Sequence, residues 1–270
     1  MPKITKITTQ KKRADRYNVY IDHGKGEQYA FSVDEEVLIK FQLKKGRELE
    51  EFDLADIQYH DEIQKTFTMA LNYLSHRMRS EKEVRLYLKK KEAEEPIIQE
   101  AIHKLYQYKY LDELEFAKAF VRTYANGGNK GPFTIDMELK EKGIADSVRV
   151  QAMNEYPIDL QIEHARSLAE KSLKKEKNLS KTALSLKIEQ NLLRKGFSRD
   201  IIMEALRDVK VEKSQGEEWE AMSLQAEKIS RRNQKYTGLE YRQRMKQALY
   251  RKGFDIGLID RYLNESEDMD

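Results

Sequence analysis

The stretch "LLRKGF" at residues 192–197 returns as "LYRKGF" at residues 249–254, and a chain that restates itself at a fixed interval is confined to architectures built from one unit used several times. Setting Gly196 over Gly253 brings Gly143 of "LKEKGI" into line, at spacings of 53 and 57 residues. A fourth copy, "VRLYLKKKEA" at residues 84–93, carries Glu92 where the others have glycine. Apolar positions agree across the set. Val84, Ile135, Ile188 and Met245 lie four residues ahead of Leu88, Leu139, Leu192 and Leu249, and Ile97, Val148, Ile201 and Leu258 correspond downstream. Units of about fifty residues with this helical spacing stack side by side into a solenoid-like array.

The hexapeptide reads as a helix end. A left-handed glycine just past the helix lets Leu192 meet Phe197, Leu249 meet Phe254 and Leu139 meet Ile144, the apolar contact of a Schellman motif. Ser198 and Asp255 follow at once as N-caps, so each copy predicts a helix, a sharp turn and a second helix. Glu92 lacks the freedom of glycine, so the first unit is expected to end its helix in another way before Pro96 opens the next one.

Residues 1–52 differ. "RYNVYID" places Tyr17, Val19 and Ile21 on one face, "EQYAFSV" does the same with Tyr29, Phe31 and Val33, and "HGKG" between them supplies a turn. A hairpin follows, with a third strand from "KITKITT" and a helix opened by Asp34 and closed near Gly46. The expected organisation is this small β-rich N-terminal domain with one helix over 1–52, helical repeats over 53–126, 127–178 and 179–235, a partial fourth repeat over 236–265, and an acidic tail over 266–270.

Composition supports a mainly α chain. With 39% hydrophobic and 36% charged residues, one thick core is out of reach, whereas small helical units with large solvated faces fit the balance. The absence of cysteine excludes disulfides, zinc-thiolate sites and thiol nucleophiles. "MPKITKITTQKKR" has no apolar signal run and no segment is apolar enough to span a bilayer, so a soluble cytoplasmic protein is expected. The five histidines show no metal spacing, and "GGNKG" (127–131) fits no phosphate loop, reading instead as a turn whose glycines act as a hinge. Trp219 and the Tyr106, Tyr108, Tyr110 cluster read as packing residues. No catalytic residue, cofactor or metal is expected.

The cations carry the functional reading. Lys89, Lys90, Lys140, Lys142, Arg194, Lys195, Arg251 and Lys252 stand near the end of the first helix of their copies, where the helix dipole favours positive charge by roughly 0.3–1 kcal/mol. That alone accounts for their position. In a regular stack, however, equivalent residues also fall along one edge, and such an edge suits an acidic groove or a phosphate backbone. With Arg77 and Arg79 these residues make the expected contact surface.

"ALNYLSHRMRSEKEVRLYLKKK" (70–91) followed by "YLDELEFAKAFVRTYANGGNKGPFTIDMELKEKGI" (110–144) resembles the RecX family, regulators of the RecA recombinase. The residues that carry the likeness are Arg77 and Ser80, then Asp112, Phe116, Ala117, Phe120 and Val121, then Gly131 and Pro132 with Lys142 to Ile144. It extends from residue 70 to about 265, more loosely in the later copies, and leaves the N-terminal segment outside. The resemblance implies tandem three-helix repeats in an elongated curved array, acting as a monomer. It implies a modulator, not an enzyme, that docks in the groove of the RecA filament on DNA and mostly inhibits its assembly, ATPase and strand exchange in DNA repair and recombination. A non-sequence-specific DNA-binding repeat protein is the alternative. The second helices "DIIMEALRDV" and "IGLIDRYLNE" are acidic to neutral, which disfavours base readout but leaves weak phosphate binding open.

Overall fold

The computed structural model describes residues 2–207, 209 and 213–267, which contain three strands and thirteen α-helices. The chain divides into two compact units, Met1–Ala117 with Glu141–Val148, and Lys118–Lys140 with Arg149–Asp270.

In the first unit β1 (Lys3–Thr9), β2 (Arg16–Asp22) and β3 (Glu27–Asp34) form an antiparallel sheet in that order. Val19, Ile21, Phe31 and Val33 face a core shared with Val37, Leu43, Leu49 and Ile57, as the alternation predicted. Tyr29 departs from it. Val19 pairs with Phe31 but Tyr20 pairs with Tyr29, so Ala30 is the extra residue of a bulge and Tyr29 turns to the opposite face, edge-on to Tyr20. Helix α1 (Glu35–Lys40) starts on the Asp34 cap but stops well before Gly46, because Gln42 adopts a left-handed φ of 48°.

Helix α2 (Glu51–Leu74) begins with a reciprocal Glu50/Asp53 capping box. Its Asp61 lies in the buried base of the sheet, 2.8 Å from Arg16, and also accepts the Asp34 N–H and the Lys65 ammonium. Helices α3 (Glu81–Lys90) and α4 (Glu95–Gln107) complete a three-helix core with α2 around Phe67, Val84, Leu88, Ile98, Ile102 and Leu105.

Helices α5 (Glu113–Gly127), α6 (Pro132–Glu141) and α7 (Asp146–Ala152) follow. In the second unit α8 (Ile158–Lys175), α9 (Lys181–Arg194) and α10 (Arg199–Arg207) enclose Leu184, Ile188, Leu192, Phe197, Ile201 and Ile202. Helices α11 (Gln215–Asn233), α12 (Gly238–Arg251) and α13 (Ile256–Glu267) enclose Met222, Met245, Leu249, Phe254, Ile259 and Leu263. The protein is thus mainly helical, with helices grouped in threes after an N-terminal sheet. Helix α13 takes in the first residues of the acidic tail, while 268–270 lie outside the described residues.

The repeated hexapeptide ends its helix as expected. The Phe197 N–H donates to the Leu192 carbonyl at 3.1 Å around Gly196, which has φ 90°, and the Phe254 N–H donates to Leu249 at 3.4 Å around Gly253. The expected exception at Glu92 does not occur. Glu92 takes φ 64° and the Ala93 N–H reaches Leu88 at 3.2 Å, so the first unit keeps the same turn and carries the roughly 1–2 kcal/mol cost of a left-handed side-chain residue.

Candidate docking surface at the repeat turns

Each glycine turn serves a second purpose beyond ending its own helix: it lands on the first turn of the helix one copy earlier. At α6 the Gly131 N–H donates to the Lys195 carbonyl at 2.6 Å, the Phe133 N–H to Gly196 at 3.0 Å, and the Thr134 hydroxyl to Lys195 at 3.0 Å. At α9 the buried Ser180 hydroxyl donates to the Lys252 carbonyl at 2.5 Å while accepting from the Ala183 N–H. At α3 the joint is made by side chains: Lys82 donates to the Glu141 carbonyl at 2.8 Å, and Lys142 reaches Glu83 at 3.2 Å.

The chemistry is complementary. Carbonyls left over at one helix C-terminus meet donors at the N-terminus of another, satisfying groups that a helix cannot pair internally. It also demands close approach. A Cβ on Gly253 would lie 2.8 Å from the Ser180 hydroxyl, and one on Gly131 would collide with the Gly196 and Phe197 backbone. "GGNKG" is therefore not free to act as the hinge expected of it, because Gly131 is buried in a joint.

The cations meet different fates. Arg77 pairs with Glu83 at 3.1 Å, and Lys142 joins the same carboxylate. Burial would raise the pKa of Glu83, but the Ser80 N–H, Lys142 and Arg77 outweigh it and hold the carboxyl below its ordinary range. Arg79 lies over the Tyr73 ring. Lys89 pairs with Glu95 at 2.8 Å, and Lys195 donates to the Asn129 carbonyl across its joint. Lys90, Lys140, Arg194, Arg251 and Lys252 are exposed, with Arg194 also donating to Asn191.

Arg194 and Lys195 share a groove with Lys171, Lys175 and Ser172 of α8. The two α8 lysines were missed in the sequence, although the run "KSLKKEK" (171–177) was the signal. Lys175 ends α8, where the helix dipole favours a cation, while Lys171 one turn earlier opposes it by about 0.2–0.5 kcal/mol. Among the described residues no helix is long and apolar enough to cross a membrane, and no cluster of three His, Cys, Asp or Glu side chains offers a metal site.

Comparison with known proteins finds domains of one family along nearly the full length of the chain. The model of the regulatory protein RecX N-terminal domain matches residues 2–50, the region that the sequence resemblance did not reach. The first and second RecX three-helix domains match residues 67–105 and 112–153, and the third matches twice, at 159–206 and 216–263. Regulatory protein RecX of Bacillus subtilis (strain 168) is 45% identical over 267 residues, covering 99% of this chain and 100% of that one. Its namesake from Bacillus licheniformis is 48% identical over 265 residues, covering 98% and 99%. A crystal structure of regulatory protein RecX superposes with a TM-score of 0.70 at 35% identity, covering 78% of this chain and 100% of that one. RecX from Lactobacillus salivarius gives 0.54 at 37% identity, covering 57% and 99%. Four kinds of domain in one order, over nearly the full length and at this identity, make the assignment plain: the chain belongs to the RecX family of regulatory proteins.

Proposed function

We propose that the chain regulates the RecA recombinase by docking in the groove of its filament on DNA and restraining filament assembly, ATPase and strand exchange. Membership of the RecX family carries this reading. The repeats add a physical reason. Exposed cations recur at successive turns, at Lys90, Lys140, Arg194, Arg251 and Lys252, and dispersed weak contacts to several protomers raise effective concentration without any tight pair. The contact surface comprises these residues with Arg77, Arg79, Lys89, Lys142 and Lys195.

The test is the DNA-dependent ATPase of RecA filaments preassembled on single-stranded DNA, titrated with this protein. Inhibition is expected at far fewer copies than would coat the DNA. It should weaken when Arg194, Arg251 and Lys252, whose side chains are not part of a joint, are changed to glutamate. No effect on the ATPase, with free DNA still bound, would exclude the filament as partner. A second reading, weak non-specific DNA binding, is favoured by the four-cation groove of Lys171, Lys175, Arg194 and Lys195.

A further inference from the structure

The third three-helix domain occurs twice, and the two copies repeat more than their fold. Helices α8, α9 and α10 start at residues 158, 181 and 199, and α11, α12 and α13 start at 215, 238 and 256, each 57 residues on. The buried residues keep the same interval, Ala169 with Ala226, Leu192 with Leu249 and Phe197 with Phe254. So do the cations of the α8 groove. Lys171 and Lys175 return on α11 as Lys228 and Arg232. Arg194 and Lys195, at the end of α9, return at the end of α12 as Arg251 and Lys252.

Helix stability does not explain the set. The dipole favours a cation in the last turn, which covers Lys175 and Arg232 but leaves Lys171 and Lys228 one turn earlier, each opposed by the cation after it. All four are exposed, and among the described residues none pairs with a carboxylate; Glu176, next to Lys175, is taken by Lys187. Nor is the pattern general to the turn, since α6 carries Glu141 at the place of Arg194 and Arg251. No carboxylate lines the α8 groove, and the Asn191 side chain there accepts from Arg194 through its oxygen, which leaves its N–H groups to donate. Such a lining calls for an anion whose charge is not interrupted. A folded protein surface interleaves its carboxylates with cations, as this chain does, whereas a phosphodiester strand repeats one charge at every nucleotide. The strand also offers the same chemistry wherever it is met, which two equal sites require. It must bend to fill both, and a single strand does so where a duplex, with a persistence length of about 50 nm, does not.

We infer that the two copies of the third domain are equivalent sites for a phosphodiester backbone and together clamp one single strand of nucleic acid. They give the second reading above its place on the molecule and rest on it. The test uses the whole protein and three variants: Lys171→Gln with Lys175→Gln, Lys228→Gln with Arg232→Gln, and all four changes together. Every side chain changed is exposed. An oligothymidylate of about eight nucleotides, within the reach of one groove, should bind the wild type at two equal sites and either two-residue variant at one. An oligothymidylate of about thirty nucleotides should bind the wild type once, about tenfold or more tighter, and lose that gain in either variant. The four-residue variant should bind the short strand about tenfold or more weakly than the wild type does.

Full long-strand affinity in either two-residue variant would overturn the clamp. Unchanged affinity in the four-residue variant would overturn the sites and leave DNA binding to another part of the protein. Poly-L-glutamate of about thirty residues bound as tightly as the long strand would overturn the phosphodiester in favour of an acidic protein segment. A wild-type protein that binds no single strand would remove the second reading and these sites with it. Docking on RecA filaments is judged separately by their ATPase, which the four-residue variant should still restrain.

Discussion

Gly196 and Glu92 hold the same backbone conformation for different reasons, and that difference can be measured. Gly196 needs both a left-handed φ and room, since a Cβ there would meet Thr134 at 3.0 Å or less. Glu92 is exposed, so only the conformational cost applies. Gly196→Ala should destabilise the protein by about 2–4 kcal/mol, the left-handed cost plus an overpacking term. Glu92→Gly should be neutral or stabilising by up to about 1 kcal/mol, because relief of strain is partly offset by a more flexible unfolded chain. Urea unfolding of both variants checks this; a Gly196→Ala cost no larger than the left-handed cost of about 1–2 kcal/mol would mean that the joint contributes nothing. The turn itself was legible in the sequence because a Schellman motif is written within six residues. Its docking role was not, because Thr134 meets Lys195 from 61 residues away and Ser180 meets Lys252 from 72. Arg79 was legible as a cation, but its stack on Tyr73 exists only in the folded chain.

At the level of elements, the sheet is fastened to α2 by a buried ion pair. Arg16 opens β2 and Asp61 sits mid-helix, both nearly inaccessible, and Arg16 also donates to the Ser32 carbonyl of β3. Breaking such a pair leaves an uncompensated buried charge. Asp61→Asn should cost about 3–5 kcal/mol and raise amide exchange in β2 and β3 before the helices. Burial alone would raise the Asp61 pKa, but hydrogen bonds from Arg16, Lys65 and the Asp34 N–H hold it below its ordinary value. The sign follows. An acid whose folded pKa is depressed adds stability above its unfolded pKa and loses it as pH falls through the folded one, so acid should release the sheet. Thermal melts from pH 6 downward should show that acid-dependent loss in the wild type and a flatter profile in Asp61→Asn. The strands themselves were readable from alternation, whereas the Ala30 bulge and the Arg16–Asp61 pairing, 45 residues apart, depend on register and on the path of α2.

For the molecule as a whole, the large share of charged residues does not amount to a large free charge. The net charge is +3, and pairs between helices absorb many of the ions: Arg85 with Glu95, Arg149 with Asp136, Lys246 with Asp260. Along the sequence the exposed cations stand one or two to a turn, with the acidic Glu141 among them. Phosphate binding and protein docking then differ in their response to salt. A surface that met about eight phosphates would lose roughly 10³-fold or more in affinity between 50 and 200 mM salt through counterion release. Dispersed pairs in a protein groove are weakened by screening alone, with no condensed counterions to displace. Affinity for preassembled RecA filaments should therefore fall by less than about tenfold over that range, while affinity for free single-stranded DNA falls more steeply from a weaker start. Parallel slopes in the two titrations would mean that the filament is bound through its DNA. In that case reversing Lys171 and Lys175 in the α8 groove should weaken both, whereas docking through the repeat turns predicts that it leaves the filament titration nearly unchanged.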